Sequence, residues 1–233
     1  MKKILNLIKR ELSGWKIGDA AWMVLANLVI ILVSIYQHDS LLSIFAALTG
    51  VICVILCGLG KVSNYFWGTI NVILYAIVAY KAKYYGDVML NLLYYFPTNI
   101  VGWVLWEKNL NKESNCVYKK RMTIKQDVYL SIISIVSVVG YSFILKLLGG
   151  NLPLADSMST VFSVIAQILM IKRYAEQWVI WIVVDVVSVI MWFVALFNEG
   201  ASIAMLLMWS VYLGNAVIMF IKWMKETSTT ISK

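Results

Sequence analysis

Residues 176–188, EQWVIWIVVDVVS, decide how the rest of this sequence is interpreted. They place Asp185 inside an apolar run long enough to cross a bilayer, where a carboxylate is costly and almost never faces lipid. On a helix of 3.6 residues per turn, Trp178, Trp181 and Ser188 share one face with this aspartate. The stripe predicts the wall of a polar cavity between helices. The alternative is a helix–helix contact that holds one neutral, hydrogen-bonded aspartate.

The composition indicates an integral membrane protein. Of the 233 residues, 61% are hydrophobic and only 14% are charged, and the mean hydropathy is +0.81. Soluble domains have about 25% charged residues. The apolar runs are continuous, which predicts membrane helices and not a β-barrel. Runs near the length of about 20 residues that a bilayer requires occur at eight places: 20–36, 41–59, 62–80, 88–106, 128–148, 157–171, 177–197 and 201–223.

The basic residues predict the orientation of these spans. Of the 20 Lys and Arg residues, 17 precede the first span, lie in every second loop or follow the last span, and only Lys81, Lys83 and Lys146 fall on the other side. Because Lys and Arg remain in the cytoplasm, both termini and the polar segment 107–127 are predicted to be cytoplasmic. We interpret that segment as a solvated basic loop. The net charge of +8 then reflects topology, and no nucleic-acid partner is expected.

A shift of 114 residues brings two parts of the chain into partial register. Trp67 then falls on Trp181 and Asn71 falls on Asp185, so polar residues near the middle of two spans coincide. Asn64 extends the stripe in the first part. Chance is the alternative explanation, because tryptophan is common here and the matches are few. The match favours parallel repeats, as in transporters whose binding site lies at the repeat interface near the midplane.

Two three-span repeats of the same orientation need one extra crossing between them, and the span 128–148 supplies it. The sequence therefore predicts an all-α integral membrane protein with about eight transmembrane helices. An N-terminal helix precedes a 3+1+3 core of parallel repeats. The predicted units are a tail with an extra helix, a first three-helix bundle, a loop with a linker helix, and a second bundle with the C-terminal tail: 1–40, 41–106, 107–150 and 151–233.

Further amides, hydroxyls and aromatic rings lie within the spans. Any single one of these groups is best explained by helix packing. Together they suit a flat, aromatic, hydroxylated solute, because rings stack on its flat part while amides and a carboxylate bind hydroxyl groups. The predicted binding residues are Asn64, Trp67, Asn71, Tyr75, Asn91, Tyr95, Gln167, Trp178, Trp181, Asp185, Ser188, Trp209 and Tyr212. Pro97 lies inside a span and predicts a kink there.

The sequence does not favour an enzyme or a metal protein. The sole histidine, His38, lies in a predicted loop, so no Ser–His–Asp set is available. No Gly-rich phosphate loop followed by Lys-Ser/Thr is present. The three cysteines and one histidine do not form a zinc pattern. We therefore expect no cofactor and no metal.

Residues 166–193, AQILMIKRYAEQWVIWIVVDVVSVIMWF, resemble the signature of the PnuC family of nicotinamide riboside transporters. The matching positions are Gln167, Lys172, Arg173, Glu176, Trp178, Trp181 and Asp185. The first part is similar to the family at Gly68, Asn71, Leu74, Tyr75, Tyr85, Gly86, Asp87, Gly102, Trp103 and Trp106. The likeness covers about residues 41–223. The sequence departs from the family pattern at Thr98-Asn99, where a Met-Gln-like pair is expected.

The resemblance implies a SWEET-like arrangement of two three-helix bundles joined by a linker helix, placed in a bacterial inner membrane and assembled as a homotrimer. It implies facilitated uptake of nicotinamide riboside by alternating access, with the product trapped by cytoplasmic phosphorylation. The expected partners are the small-molecule substrate and the lipid bilayer. Thiamine, riboflavin and deoxynucleosides are alternative substrates, because relatives of the family carry them. A membrane scaffold that transports nothing is an alternative from another class.

Overall fold

The computed structural model describes residues 10–147 and 153–231, which form eight long helices and a short antiparallel hairpin. The helices are α1 Ile17–Tyr36, α2 Leu41–Gly58, α3 Asn64–Lys81, α4 Tyr85–Lys108, α5 Ile124–Leu147, α6 Pro153–Lys172, α7 Gln177–Glu199 and α8 Ile203–Ile231. The hairpin strands are β1 Leu110–Asn111 and β2 Cys116–Val117. The predicted units 1–40, 107–150 and 151–233 are therefore described in part, because residues 1–9, 148–152 and 232–233 lie outside the described residues.

Six of these helices are long and apolar enough to cross a membrane, namely α1, α2, α4, α5, α7 and α8. The α3 helix has 18 residues but includes Asn64 and Asn71, which lower its hydropathy. In α6, the apolar helix Ser157–Lys172 is shorter. The prediction of a mostly helical membrane protein is confirmed, and each predicted span overlaps one of the helices. The α8 helix continues to Ile231, eight residues beyond the predicted end at 223.

The helices pack as two groups. In the first group α2 packs on α3, and α3 packs on α4; in the second, α6 packs on α7, and α7 packs on α8. The groups meet where α8 contacts α2 and where α4 contacts α6. The α1 helix packs on α2 and α8, while α5 packs on α6. The space between the two groups is where a solute could be enclosed.

The segments that the basic residues assign to the cytoplasm meet at one end of the molecule, here termed the basic end. The amide of Val117 donates to the carbonyl of Gly60 at 2.9 Å, and the amide of Lys120 donates to the carbonyl of Arg173 at 2.8 Å. Val117 is buried. Most residues of the segment 107–127 are exposed, as predicted for a solvated loop, and its backbone is in addition hydrogen-bonded to two neighbouring turns.

Lys61 lies at the centre of the basic end and is 1% exposed. Its Nζ donates to the carbonyl oxygens of Arg10 at 3.1 Å, Ser13 at 2.7 Å and Asn115 at 3.1 Å. A buried ammonium group is costly unless its three N–H groups find acceptors, and these carbonyls provide them. One side chain thus joins the N-terminal segment, the α2–α3 turn and the hairpin.

A carboxylate joins the segments at the opposite end. Asp39 Oδ2 accepts hydrogen bonds from Ser202 Oγ at 2.6 Å and from the amide of Ala204 at 2.9 Å. Because the first amides of a helix lack partners within the helix, Asp39 stabilises the start of α8. The same contact joins the α1–α2 turn to the second helix group.

Candidate functional site

A cavity of about 120 Å³ lies between the two helix groups. The helices α2, α3, α4, α6, α7 and α8 all contribute to its wall. Of the thirteen residues predicted to bind a solute, ten line this cavity: Asn71, Tyr75, Asn91, Tyr95, Gln167, Trp178, Trp181, Asp185, Trp209 and Tyr212. The structure thus brings together polar and aromatic residues that lie far apart in the sequence. Their binding role stays a prediction.

Asp185 is 2% exposed and lines the cavity. Within the described part of the chain it has no hydrogen-bond donor or cation as a partner. The alternative interpretation, a helix–helix contact that holds a hydrogen-bonded aspartate, requires a donor on a neighbouring helix. The described helices do not provide one. A carboxyl group inside a membrane protein that faces a cavity is a candidate for a functional group.

Aromatic rings form much of the remaining surface of the cavity. The ring centroid of Trp181 lies 6.3 Å from that of Tyr95, and the centroid of Trp209 lies 5.2 Å from that of Tyr212. Tyr95 belongs to α4 of the first helix group, whereas the other three rings belong to α7 and α8 of the second, so both groups contribute rings to the wall. The Nε1 of Trp178 is buried and has no acceptor among the described residues. The cavity therefore offers stacking faces and an unpaired donor.

The asparagines are held by backbone carbonyls. The Nδ2 of Asn71 donates to the carbonyl of Ala46 in α2 at 2.8 Å. The Nδ2 of Asn91 donates to the carbonyl of Asp87 at 2.8 Å. Because each amide nitrogen is held in this way, each side-chain oxygen is left to accept from a solute. The arrangement suits the hydroxyl groups of a sugar.

A π-helical turn shapes the fourth helix beside the cavity. The turn spans Leu90–Tyr95, and the helix continues past Pro97 to Lys108. Proline lacks the N–H that the ordinary α-helical ladder needs, and π-helical turns are frequent at functional sites. Asn91 and Tyr95 both belong to this turn and both line the cavity. The predicted kink at Pro97 thus corresponds to a π-helical turn just before the proline. The sequence did not predict which residues this turn contains.

Gln167 connects α6 to α4 at the cavity. Its Nε2 donates to Asn99 Oδ1 at 3.1 Å and to Thr98 Oγ1 at 3.3 Å. Asn99 lines the cavity as well. Asn99 belongs to the Thr98-Asn99 pair, at which a departure from the family pattern is predicted, whereas Thr98 does not line the cavity. A difference from relatives in the binding of a solute would be expected at this pair.

Three predicted binding residues do not line the cavity. Asn64 is buried at the start of α3 and donates to the carbonyl of Lys61 at 2.6 Å. Trp67 packs edge-on against Phe66, with centroids 5.5 Å apart. Ser188 is buried in α7 but lies outside the lining. Asn64 and Ser188 lie about one turn beyond the lining residues of their helices, so the cavity covers only part of each stripe. Trp67 is adjacent to the lining residue Gly68, so Trp67 misses the cavity because its side chain is directed towards Phe66.

Sequence reasoning also missed part of the lining. Cys53 and Cys57 lie one helical turn apart on α2, and that spacing could have indicated a common face. Asn99 is an amide inside a predicted span, and its polarity could also have indicated the site. The other missed residues are apolar or small and could not be distinguished from residues that face lipid or the core. The full set that was missed is Cys53, Val54, Cys57, Gly68, Val72, Asn99, Met170, Met208 and Ala216.

The fold and the cavity define a class: α-helical membrane proteins with a polar and aromatic cavity between two helix groups, the architecture of membrane transporters. A comparison with known families identifies the family within this class. The model of the nicotinamide mononucleotide transporter family matches residues 40–225. The chain belongs to this family.

Individual relatives agree with the assignment. The nicotinamide riboside transporter PnuC of Neisseria mucosa is 41% identical over 231 residues, which cover 96% of this chain and 88% of the relative. The protein of the same name from Haemophilus influenzae is 31% identical over 226 residues, covering 96% and 97%. A crystal structure of the vitamin B3 transporter PnuC matches with a TM-score of 0.86 at 40% identity, covering 95% of this chain and 97% of that one. The resemblance to PnuC is confirmed, and these relatives are named as transporters, not enzymes.

Proposed function

We propose that this protein transports nicotinamide riboside. The proposal rests on Asp185, a buried cavity carboxyl group that has no partner among the described residues. Nicotinamide riboside has a fixed positive charge on a flat ring, which suits an ionised carboxylate beside aromatic faces. Trp181 and Tyr95 supply such faces, and the oxygens of Asn71 and Asn91 suit the ribose hydroxyl groups. The names of the relatives point to the same substrate.

The cavity favours the riboside over the mononucleotide in the name of the family. The described residues that line it include no Lys, Arg or His. A phosphate group would bring negative charge into a buried space beside Asp185, without a cation to compensate. Burial of an unpaired charge is strongly unfavourable. Riboflavin and deoxynucleosides have no phosphate, so this argument does not exclude them. They also lack a fixed positive charge, so the pairing with Asp185 disfavours them weakly.

The size of the cavity supports alternating access. Its volume of about 120 Å³ is close to the roughly 150 Å³ of an engineered cavity that holds benzene. One aromatic ring therefore fits, but a ring with a ribose does not. The substrate needs side chains or helices to move, as expected of a carrier and not of an open pore. Asn71 and Asp185 face this space from different helix groups, as two repeats would place them.

The proposal extends to architecture and direction of transport. We infer eight membrane crossings in a SWEET-like 3+1+3 arrangement with predicted bundles 41–106 and 151–233, a homotrimer, and a bacterial inner membrane location with both termini cytoplasmic. The clustering of the basic segments at one end supports this orientation. The sequence contains no ATP-binding loop, and we infer that uptake is facilitated diffusion. Cytoplasmic phosphorylation of the product would then make accumulation effectively one-way.

A substrate panel tests the proposal. Purified protein in liposomes is given labelled nicotinamide riboside, nicotinamide mononucleotide, thiamine, riboflavin or a deoxynucleoside, and both binding and uptake are measured. Nicotinamide riboside is expected to bind best and to enter the liposomes without ATP. Thiamine is the informative competitor, because it also has a fixed positive charge. A better response to any other member of the panel would overturn the substrate assignment, and no binding at all would favour a scaffold.

A further inference from the structure

A second cavity, of about 480 Å³, lies between α5 and the helices α6, α7 and α8. We term it the lateral groove. Most of its wall is apolar, with Leu130 on α5, Phe162 on α6, Val183 on α7 and Phe220 on α8. It shares no lining residue with the central cavity. Its volume lies within the roughly 300–1,000 Å³ of small-ligand sites.

One end of the lateral groove is charged. Arg121, Asp127 and Glu176 line it there, close to the basic end of the molecule. Glu176 Oε1 accepts from the amide of Met122 at 3.0 Å, whereas Glu176 Oε2 is buried and has no donor among the described residues. Burial raises the pKa of Glu176, Asp127 raises it further, and Arg121 lowers it. The Arg121 cation and the carboxyl groups of Asp127 and Glu176 therefore interact electrostatically at this end of the groove.

We propose that the lateral groove binds a phospholipid with an amine headgroup, taken from the leaflet at the basic end. An acyl chain lies along the apolar wall at bilayer depth. The phosphate faces Arg121, and the ammonium group faces Asp127 and Glu176. The headgroup chemistry follows from charge complementarity, because a zwitterion matches one cation beside two carboxyl groups. An anionic lipid with an uncharged headgroup brings no cation of its own to these two acids.

The structure also offers a way to fill the groove without changing its charge. Ser131 lines the groove on α5 and is exposed, so Ser131→Phe places a ring in the space that the acyl chain would occupy. Val136 is on the same helix, is 65% exposed and does not line the groove. Val136→Phe is therefore the matched control for added bulk on α5.

The experiment is native mass spectrometry of purified, delipidated protein after exposure to dioleoyl phosphatidylethanolamine or dioleoyl phosphatidylglycerol. The wild type is expected to retain the ethanolamine lipid better by about fivefold, the upper range for one partly exposed ion pair. The double variant Glu176→Gln with Asp127→Asn should retain both lipids equally. Ser131→Phe should reduce retention of both lipids, and Val136→Phe should not. Melting curves show whether each variant is folded.

Two results would overturn the proposal. Equal retention of both lipids by the wild type would remove the headgroup assignment. Unchanged lipid retention in folded Ser131→Phe would show that the lipid binds elsewhere. If Ser131→Phe instead altered the mass of the assembly while lipid binding stayed the same, the groove would be a contact between copies of this chain.

Discussion

The indole Nε1 of Trp223 donates a hydrogen bond to the carbonyl oxygen of Gly58 at 2.7 Å. Trp223 belongs to α8 and is fully buried, whereas Gly58 ends α2, where helix carbonyls lack partners within the helix. A side chain at Gly58 would overlap Met219, so glycine allows this close approach. The two helix groups are thus fastened together between the central cavity and the basic end.

The first prediction concerns topology. Both termini and segment 107–127 are expected on the cytoplasmic side, because 17 of the 20 basic residues are assigned there. Single cysteines are placed at Ser114 and at Asn198, both exposed, in a background without the three native cysteines. An impermeant thiol reagent added outside intact cells should label the cysteine at 198 and not the one at 114. The reverse pattern would show that the orientation is inverted.

The second prediction concerns stacking by Trp181, which lines the cavity beside Tyr95. Loss of a stacked ring costs roughly 1–3 kcal/mol in nucleic-acid sites. By analogy, Trp181→Ala should weaken nicotinamide riboside binding by about 10- to 100-fold. Calorimetry on protein in detergent measures this directly. Trp67→Ala is the matched control, because Trp67 does not line the cavity and its loss should leave affinity nearly unchanged. Equal affinities for wild type and Trp181→Ala would assign Trp181 to packing.

The third prediction concerns charge at Asp185. Hydrogen bonds to charged groups are worth about 1.5–3 kcal/mol, so Asp185→Asn should lower affinity for nicotinamide riboside by about 10- to 100-fold. The asparagine keeps the size and most of the shape, so the fold should survive. An uncharged nicotinamide analogue provides the control, because its binding should change much less. Affinity that is the same in both proteins would remove Asp185 from the site.

A separate measurement addresses proton coupling. Uptake of nicotinamide riboside into liposomes is compared with and without an imposed pH gradient. Because Asp185 is proposed to face the cationic ring and not to exchange protons during transport, the initial rate should be the same in both cases. Uptake that disappears when the gradient is collapsed would identify a proton-coupled carrier.

The fourth prediction concerns Lys61, whose Nζ is hydrogen-bonded to three backbone carbonyls. Lys61→Met keeps the aliphatic stem but leaves those carbonyls without their donor, at a cost of about 1–3 kcal/mol for each buried group. The melting temperature should fall and the 107–127 segment should become more sensitive to protease. Lys83→Met, at an exposed position at the other end, is the control. A hairpin that stays resistant in Lys61→Met would show that its other contacts are sufficient.

Local periodicity explains what the sequence could predict. The spacing of Trp178, Trp181 and Asp185 follows from the geometry of one helix, so their common face was recoverable without any knowledge of neighbouring helices. Ser188 has the same spacing but does not line the cavity. Periodicity identifies one face of a helix, but it does not say how much of that face borders the cavity. The burial of Lys61 could not be predicted either, since its three acceptors come from distant segments.

Apolar parts of the site are hidden for a different reason. Cys53, Met170 and Met208 line the cavity, yet in a membrane sequence an apolar residue facing a cavity is indistinguishable from one facing lipid. Polar residues stand out against that background, and most of those that were selected reach the cavity. In a membrane sequence, polarity therefore marks only part of a cavity wall that contains both polar and apolar residues.

Because of the π-helical turn at Leu90–Tyr95, the number of residues in this segment decides whether Asn91 and Tyr95 both face the cavity. Each residue of an α-helix is rotated by about 100° from the last. A π-helical turn contains one residue more than an α-helical turn, so it shifts the faces of the helix that follow it. Deletion of the exposed Leu93 would restore an ordinary helix and turn Asn91 away from Tyr95. Substitutions at this exposed leucine should therefore be tolerated in evolution, while insertions and deletions there should be eliminated.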